Sequence, residues 1–134
     1  MILYIVYINC HIDYSGRNVT SKNFLNILKG NSDALKNIGS GKVLDSTSGD
    51  NVWIYYVDHG AVGLVAFPFG DLLYADHLLD TLIEMDKSEM FNEIVIYMEA
   101  CESGSMFLDM PDNMNIFVTT ASNEKVNKLS TSLL

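Results

Sequence analysis

Residues 52–60 read Val52-Trp53-Ile54-Tyr55-Tyr56-Val57-Asp58-His59-Gly60, and residues 93–105 read Glu93-Ile94-Val95-Ile96-Tyr97-Met98-Glu99-Ala100-Cys101-Glu102-Ser103-Gly104-Ser105. Both stretches consist largely of β-branched, aromatic and aliphatic residues, which predicts two strands. The first run ends at His59 and the second at Cys101. If the strands are parallel neighbours, both side chains emerge at the carboxyl edge of one sheet, where open α/β folds place their chemistry. This geometry sets a nucleophile beside its base.

The segment between the two runs is predicted to contain a helix. Asp76 is placed to cap it, and Leu78, Leu82 and Met85 recur at helical spacing. A strand, a helix and a second strand form a crossover unit, so the two strands are predicted to be parallel. Because both runs are apolar at nearly every position, we expect helices on both faces of their sheet.

Shorter patterns on either side complete the predicted architecture. Thr20 is placed to cap a helix that stops at Gly30, and a shorter helix is expected over residues 33–38. Residues 115–120 have the composition of a third strand, as does the N-terminal run at residues 1–8. The predicted fold class is therefore α/β, a three-layer sandwich around a mostly parallel central sheet.

Length and composition limit the class of protein. With 134 residues, of which 49% are apolar, the chain is expected to form one domain with its own core. Acidic residues outnumber basic ones by 17 to 8, giving a net charge of −9, which argues against nucleic acid as a partner. The apolar run at residues 1–8 lacks a basic flank and is far shorter than the ~20 residues that span a bilayer, so no membrane partner is expected.

The residues at the two strand ends suit nucleophilic catalysis. The chain has 2 cysteines, Cys10 and Cys101, and no disulfide scaffold is implied. A thiol attacks carbonyls as its thiolate, and an imidazole such as that of His59 favours the thiolate by forming an ion pair with it. The backbone N–H groups of Gly60 and Cys101 are candidate donors to the oxyanion of the intermediate. Glu99 lies two residues before Cys101, so both side chains are expected on the same side of the strand. Its carboxylate is suited to binding a polar or basic side chain of a substrate.

Each of these residues also has a structural explanation. A single cysteine at a strand end is usually a small core residue, a single histidine is usually a hydrogen-bonded polar residue, and Glu99 could cap a helix or join an ion pair. A glycine after the histidine and a Ser-Gly-Ser turn after the cysteine favour catalysis. His59, Cys101 and Asp58 are weak candidates for zinc, because a zinc site needs three or four ligands and no second pair has ligand spacing. No metal and no cofactor are expected.

Several motifs together resemble the legumain family of asparaginyl endopeptidases, peptidase family C13. The motifs are Asp58-His59-Gly60, Phe67-Pro68, residues 99–106, residues 119–123, residues 13–20 and residues 39–44. The long Glu-Ala-Cys-Glu-Ser-Gly-Ser run sets this family apart from glycosylphosphatidylinositol transamidase, caspases and gingipains, which share only a looser His-Gly and Cys arrangement.

The resemblance implies a caspase-like α/β sandwich that hydrolyses peptide bonds after asparagine, less often aspartate, in a lysosome or vacuole. It makes His59 the base, Cys101 the nucleophile, Gly60 an oxyanion donor and Glu99 part of the pocket for the substrate asparagine. Asp58 matches an aspartate that can convert to a succinimide and is tied to ligase activity. The substrates would be peptides or proteins.

The sequence also departs from the family pattern. An upstream Asn that orients the histidine and an Arg that binds the substrate asparagine are not found, and residues 124–132 replace a segment of the specificity pocket. We therefore expect residues 1–134 to be one legumain-like catalytic domain truncated at both ends, with residues 1–12 atypical and residues 124–134 divergent. A non-catalytic module that binds peptides or partners and a transamidase-like role both stay open, as does the oligomeric state.

Overall fold

The computed structural model describes residues 11–123, so the strand predicted at residues 1–8 lies outside the described part. Two helices and six strands make up this part: α1 (Ser21–Leu28), β1 (Asn51–Val57), β2 (Gly60–Ala61), β3 (Leu64–Val65), β4 (Leu73–Tyr74), α2 (Ala75–Lys87), β5 (Glu93–Glu99) and β6 (Ile116–Thr120). Two short 3-10 turns add to them, Gly16–Asn18 and Ser103–Phe107. Neither helix of residues 11–123 has the length and apolarity that crossing a membrane requires.

The strands form one parallel sheet and one small antiparallel sheet. In the parallel sheet the order is β1-β5-β6, with Val57 opposite Glu99 and Met98 opposite Thr120. The antiparallel sheet has the order β2-β3-β4 and follows directly after β1 along the chain. The predicted parallel pairing of the two long apolar runs is confirmed, and so is the third strand.

Helix α1 begins where the sequence predicts. The Thr20 hydroxyl accepts a hydrogen bond from the Asn23 amide at 3.1 Å, and Gly30 follows the helix with φ of +66°. A left-handed residue after the last turn is a common helix stop. Residues 33–38 form turns rather than the predicted helix, because their backbone bonds join residues three apart, as from the Leu35 amide to the Ser32 carbonyl.

Helix α2 begins two residues earlier than predicted. Its N-cap is Tyr74, which makes no side-chain capping bond, and Asp76 lies inside the first turn. The predicted capping role of Asp76 is therefore wrong. Its carboxylate accepts from the His77 amide at 2.8 Å, and a negative charge in the first turn still favours the helix dipole.

The core lies between the helices and one face of the parallel sheet. Alternate residues of the two long strands point into it and are nearly inaccessible to solvent: Val52, Ile54, Tyr56, Ile94, Ile96 and Met98. Helix α2 contributes Leu78, Leu82 and Met85 from one side of its surface, each at most 2% exposed. Burial of this apolar area is the main favourable term in the folding of the domain.

The opposite face of the sheet is open to solvent in the described residues. It carries exposed apolar and aromatic side chains: Trp53, Tyr55, Val57, Tyr97 and Phe117. The α/β class with a parallel sheet is confirmed; the helices of residues 11–123 pack on one face of that sheet, and the second helical layer of the predicted sandwich does not lie among these residues. The two long strands alternate buried and exposed positions within the described residues.

Candidate active site

The register of the parallel sheet brings His59 and Cys101 to neighbouring positions. Val57, the last residue of β1, pairs with Glu99, the last residue of β5, and the Asp58 amide donates to the Glu99 carbonyl at 3.3 Å. His59 and Cys101 each follow two residues after that last pair. Both residues are exposed at the carboxyl edge of the sheet, where substrates reach the chemistry of open α/β folds.

Gly60 brings the two strand ends into direct backbone contact. A Cβ atom at this position would lie 2.4 Å from the Cys101 carbonyl oxygen and 3.1 Å from the Ala100 Cβ. The first distance is far below van der Waals contact, so no larger residue fits without a backbone shift. A glycine after the histidine therefore lets the two candidate catalytic segments approach each other closely.

A short hairpin made of β2 and β3 holds the backbone of His59. The Ala66 amide donates to the His59 carbonyl at 2.8 Å, and the Ala66 carbonyl accepts from the Tyr56 hydroxyl. Tyr56 points into the core from β1, and burial raises the pKa of its hydroxyl well above the ordinary value. The phenol thus keeps its proton and stays a donor, which ties the hairpin to the strand that precedes it.

The turn after Cys101 has an unusual backbone. Glu102 has φ of +53° and ψ of +21°, a left-handed conformation that residues with a side chain adopt at a cost. The amide of Cys101 has no hydrogen-bond acceptor among residues 11–123. An unpaired amide beside a nucleophile is the type of group that forms an oxyanion hole.

Two buried serines hold this turn in place. Ser103 is 0% exposed and Ser105 is 3% exposed. The Ser103 hydroxyl accepts from the Ser122 amide at 3.3 Å, and the Ser105 hydroxyl accepts from the Gly63 amide at 2.8 Å. The Ser-Gly-Ser turn is recognisable in the sequence, but a role for either hydroxyl could not be predicted from it. Two hydroxyl residues directly after an apolar strand could have indicated buried hydrogen bonds at this turn. Their partners, however, depend on the tertiary fold.

Glu99 and Asp58 lie next to the candidate pair. Glu99 is the exposed last residue of β5 and lies two residues before Cys101 in the chain. Asp58 is half-buried, and its Oδ1 accepts from the amide of His59 at 2.7 Å. The structure thus gathers all five predicted site residues at one sheet edge.

The imidazole and the thiol are near each other in the sheet register but are not hydrogen-bonded within the described residues. Among residues 11–123 no hydrogen bond joins His59 to Cys101, and Cys101 is a free, exposed thiol. No group of three or more His, Cys, Asp and Glu side chains in the described part is placed to hold a metal ion. The arrangement presents a thiol, an imidazole and a carboxylate to solvent within one short stretch of sheet edge.

Comparison with known proteins identifies the family to which the chain belongs. The sequence profile described as the Peptidase C13 family matches residues 5–131, which is nearly the whole chain. The match includes both strand ends and the two serines that follow Cys101.

Individual relatives agree with the profile. Legumain of Homo sapiens is 50% identical over 113 residues, covering 84% of this chain and 26% of that protein. The vacuolar-processing enzyme beta-isozyme 1 of Oryza sativa subsp. indica is 46% identical over 127 residues, covering 94% of this chain and 25% of that protein. The hemoglobinase of Schistosoma mansoni is 48% identical over 121 residues, covering 90% of this chain and 27% of that protein. The chain thus spans about a quarter of the length of the relatives that it matches.

Proposed function

Because this chain belongs to the Peptidase C13 family, we propose that it carries the nucleophile and base of a cysteine endopeptidase that cleaves after asparagine. The observation that carries the proposal is the sheet register, in which His59 and Cys101 follow the same strand pair at the same distance from its end. The direct approach of Gly60 to the Cys101 carbonyl supports it.

The reaction proceeds through an acyl-enzyme. The Cys101 thiolate attacks the carbonyl carbon of the scissile peptide bond, and the carbonyl electrons move to oxygen to form a tetrahedral intermediate. As the intermediate collapses, the C–N bond breaks and the His59 imidazolium gives its proton to the departing amine. Water then attacks the thioester while His59 takes a proton from it, and the carboxylic acid leaves as Cys101 is released.

The oxyanion of each intermediate is stabilised by backbone donors. The Cys101 amide lacks an acceptor within residues 11–123, and Gly60 lies in contact with the same backbone. Preorganised donors of this kind typically contribute about 10²- to 10³-fold to the rate. We assign both N–H groups to this role.

Glu99 is assigned to the substrate side chain. Its carboxylate accepts hydrogen bonds but has no proton to donate, which matches the NH2 group of an asparagine side chain. An ionised aspartate at the same position would be repelled, so cleavage after aspartate is expected to grow as pH falls and the substrate carboxyl becomes protonated. Asp58 has a secondary role, because succinimide formation would bond the His59 backbone nitrogen to the Asp58 carboxyl carbon and release water, and that nitrogen lies 2.7 Å from the Asp58 Oδ1.

The proposed location is a lysosome or vacuole, and the proposed substrates are peptides and proteins. The name of the rice relative, a vacuolar-processing enzyme, supports the location. The family supports the substrate class.

Peptide turnover tests the proposal. Fluorogenic peptides ending in Ala-Ala-Asn, Ala-Ala-Asp and Ala-Ala-Ala are incubated with the purified protein at acidic pH, and each rate is compared with those of Cys101→Ser and His59→Ala. We expect turnover after asparagine that both substitutions abolish. Equal turnover in Cys101→Ser, or equal turnover of all three peptides, would contradict the proposal.

A non-catalytic peptide-binding module is the second candidate. The missing hydrogen bond between His59 and Cys101 in the described residues favours it. This candidate predicts binding of an asparagine peptide without cleavage, and it predicts that Cys101 reacts with electrophiles no faster than a free thiol. The transamidase-like role shares the acyl-enzyme and predicts transfer to an added amine in place of water.

A further inference from the structure

One buried hydroxyl joins the turn after the nucleophile to the hairpin after the histidine. Ser105 lies in the 3-10 turn Ser103–Phe107 and is 3% exposed. Its Oγ accepts a hydrogen bond from the Gly63 amide at 2.8 Å and donates one to the Glu102 carbonyl at 2.5 Å. A hydroxyl has one proton and two lone pairs, so a single side chain can bridge these two segments.

The two bridged segments are those that carry the candidate catalytic residues. Gly63 lies in the turn between β2 and β3, and this hairpin begins at Gly60, next to His59. The hairpin also holds the His59 carbonyl through the Ala66 amide. On the other side, Glu102 follows Cys101 directly, so a displacement of the Glu102 carbonyl moves the nucleophile.

The same serine stabilises the left-handed turn at Glu102. The Ser105 amide and the Ser105 hydroxyl both donate to the Glu102 carbonyl, at 2.9 and 2.5 Å. A residue with a side chain keeps φ near +53° only where its surroundings fix it. Ser105 supplies two of the bonds that fix this turn.

We infer that Ser105 is a positioning residue that sets the separation of the His59 imidazole and the Cys101 thiol. It acts through the hairpin and the turn, and the inference rests on the proposed roles of His59 and Cys101. Because a shift of about 1 Å at a reacting atom can cost about 100-fold in rate, a bridge of this kind is expected to affect chemistry more than stability.

Ser103 provides a matched control. It lies in the same turn, is 0% exposed, and its hydroxyl accepts from the Ser122 amide at 3.3 Å. It therefore connects the turn to the residues after β6, and within residues 11–123 that hydroxyl makes no hydrogen bond to the histidine hairpin. Ser103→Ala and Ser105→Ala each remove one buried hydroxyl from the same turn, but only the second removes the bridge to Gly63.

The experiment measures alkylation of Cys101 by iodoacetamide at about pH 6 and about pH 9, with the label located by peptide mass spectrometry. The protein is compared with Ser105→Ala, Ser105→Thr, Ser103→Ala and His59→Ala. We expect Ser105→Ala to lower the rate at pH 6 at least tenfold, as His59→Ala does, and to leave the rate at pH 9 unchanged, because an ordinary thiol is largely ionised at about pH 9. Ser105→Thr, which keeps the hydroxyl, is expected to restore the rate, and Ser103→Ala to retain it.

The outcomes separate this inference from the proposed function. If Cys101 is alkylated in His59→Ala as fast as in the unmodified protein at pH 6, the proposed function is contradicted. If His59→Ala reacts slowly but Ser105→Ala does not, the positioning role is overturned while the proposed function stands. The same holds if Ser103→Ala and Ser105→Ala lower the alkylation rate equally at both pH values. Amide hydrogen exchange gives a test that needs no variant. Slow exchange of the Gly63 amide is expected, and exchange as fast as in an unstructured peptide would overturn the bridge.

Discussion

Gly60 shows how a single residue controls the candidate site. A glycine after the histidine predicted a backbone N–H that can approach the oxyanion; its contact with Cys101, where a Cβ would lie 2.4 Å from the carbonyl oxygen, is visible only in the structure. His59 and Cys101 could also be predicted, because a polar residue at the end of an apolar run indicates a strand end. The role of Ser105 could not be predicted in this way, since its partner Gly63 is 42 positions away and depends on how the hairpin folds back.

Replacement of Gly60 by alanine is expected to damage both stability and reactivity. The new methyl group forces the hairpin away from Cys101, and overpacking of this kind typically costs about 1–3 kcal/mol. Gly49→Ala is the matched control, because the nearest atom to a Cβ at Gly49 is 3.8 Å away. Urea denaturation and alkylation of Cys101 measure the two effects. Wild-type values for Gly60→Ala in both assays would show that the two backbones do not meet as described.

At the scale of elements, the two long strands could be predicted from the sequence. The helix caps and the buried faces of the strands could be predicted only in part. The parallel pairing of β1 and β5 follows from two apolar runs separated by a helix pattern. The start of α2 was misplaced because Asp76 suits both an N-cap and a first turn, and only the backbone decides between them. Which face of the sheet each residue occupies could not be predicted, because aromatic residues such as Trp53 and Tyr55 form strands whether they are buried or not.

The attachment of the β2–β3 hairpin to β1 predicts a specific loss of stability. Tyr56→Phe keeps the buried ring but removes the bond to the Ala66 carbonyl, which leaves that acceptor unsatisfied. The expected decrease in the free energy of unfolding is about 1–3 kcal/mol. Tyr55→Phe is the control, because Tyr55 lies on the exposed face of the same strand at 54% exposure. Equal stability of the two variants in chemical denaturation would contradict the attachment.

The whole molecule has one packed side and one open side in the described residues. Helices α1 and α2 bury one face of the parallel sheet, while aromatic residues remain on the other face, including Trp53 at 66% exposure. The Trp53 ring lies beside those of Tyr55 and Tyr97, with ring centroids 6.0 and 6.1 Å away. Exposed apolar surface of this kind usually marks a site of association.

Fluorescence reports on the open face, because Trp53 is the only tryptophan of the chain. We expect emission typical of a solvated indole and strong quenching by acrylamide in the native protein, little changed by unfolding in urea. Trp53→Phe identifies the signal as that of this residue. A blue-shifted native emission that resists acrylamide would mean that this face is covered in solution.

The central claim is that the sheet edge makes Cys101 and His59 act as one unit. The most direct measurement is the rate of alkylation of Cys101 at about pH 6, where an ordinary thiol is almost fully protonated, relative to that of free glutathione. We predict that Cys101 in the unmodified protein reacts at least tenfold faster than glutathione and that His59→Ala removes this difference. A Cys101 that reacts like glutathione with or without His59 would contradict the claim.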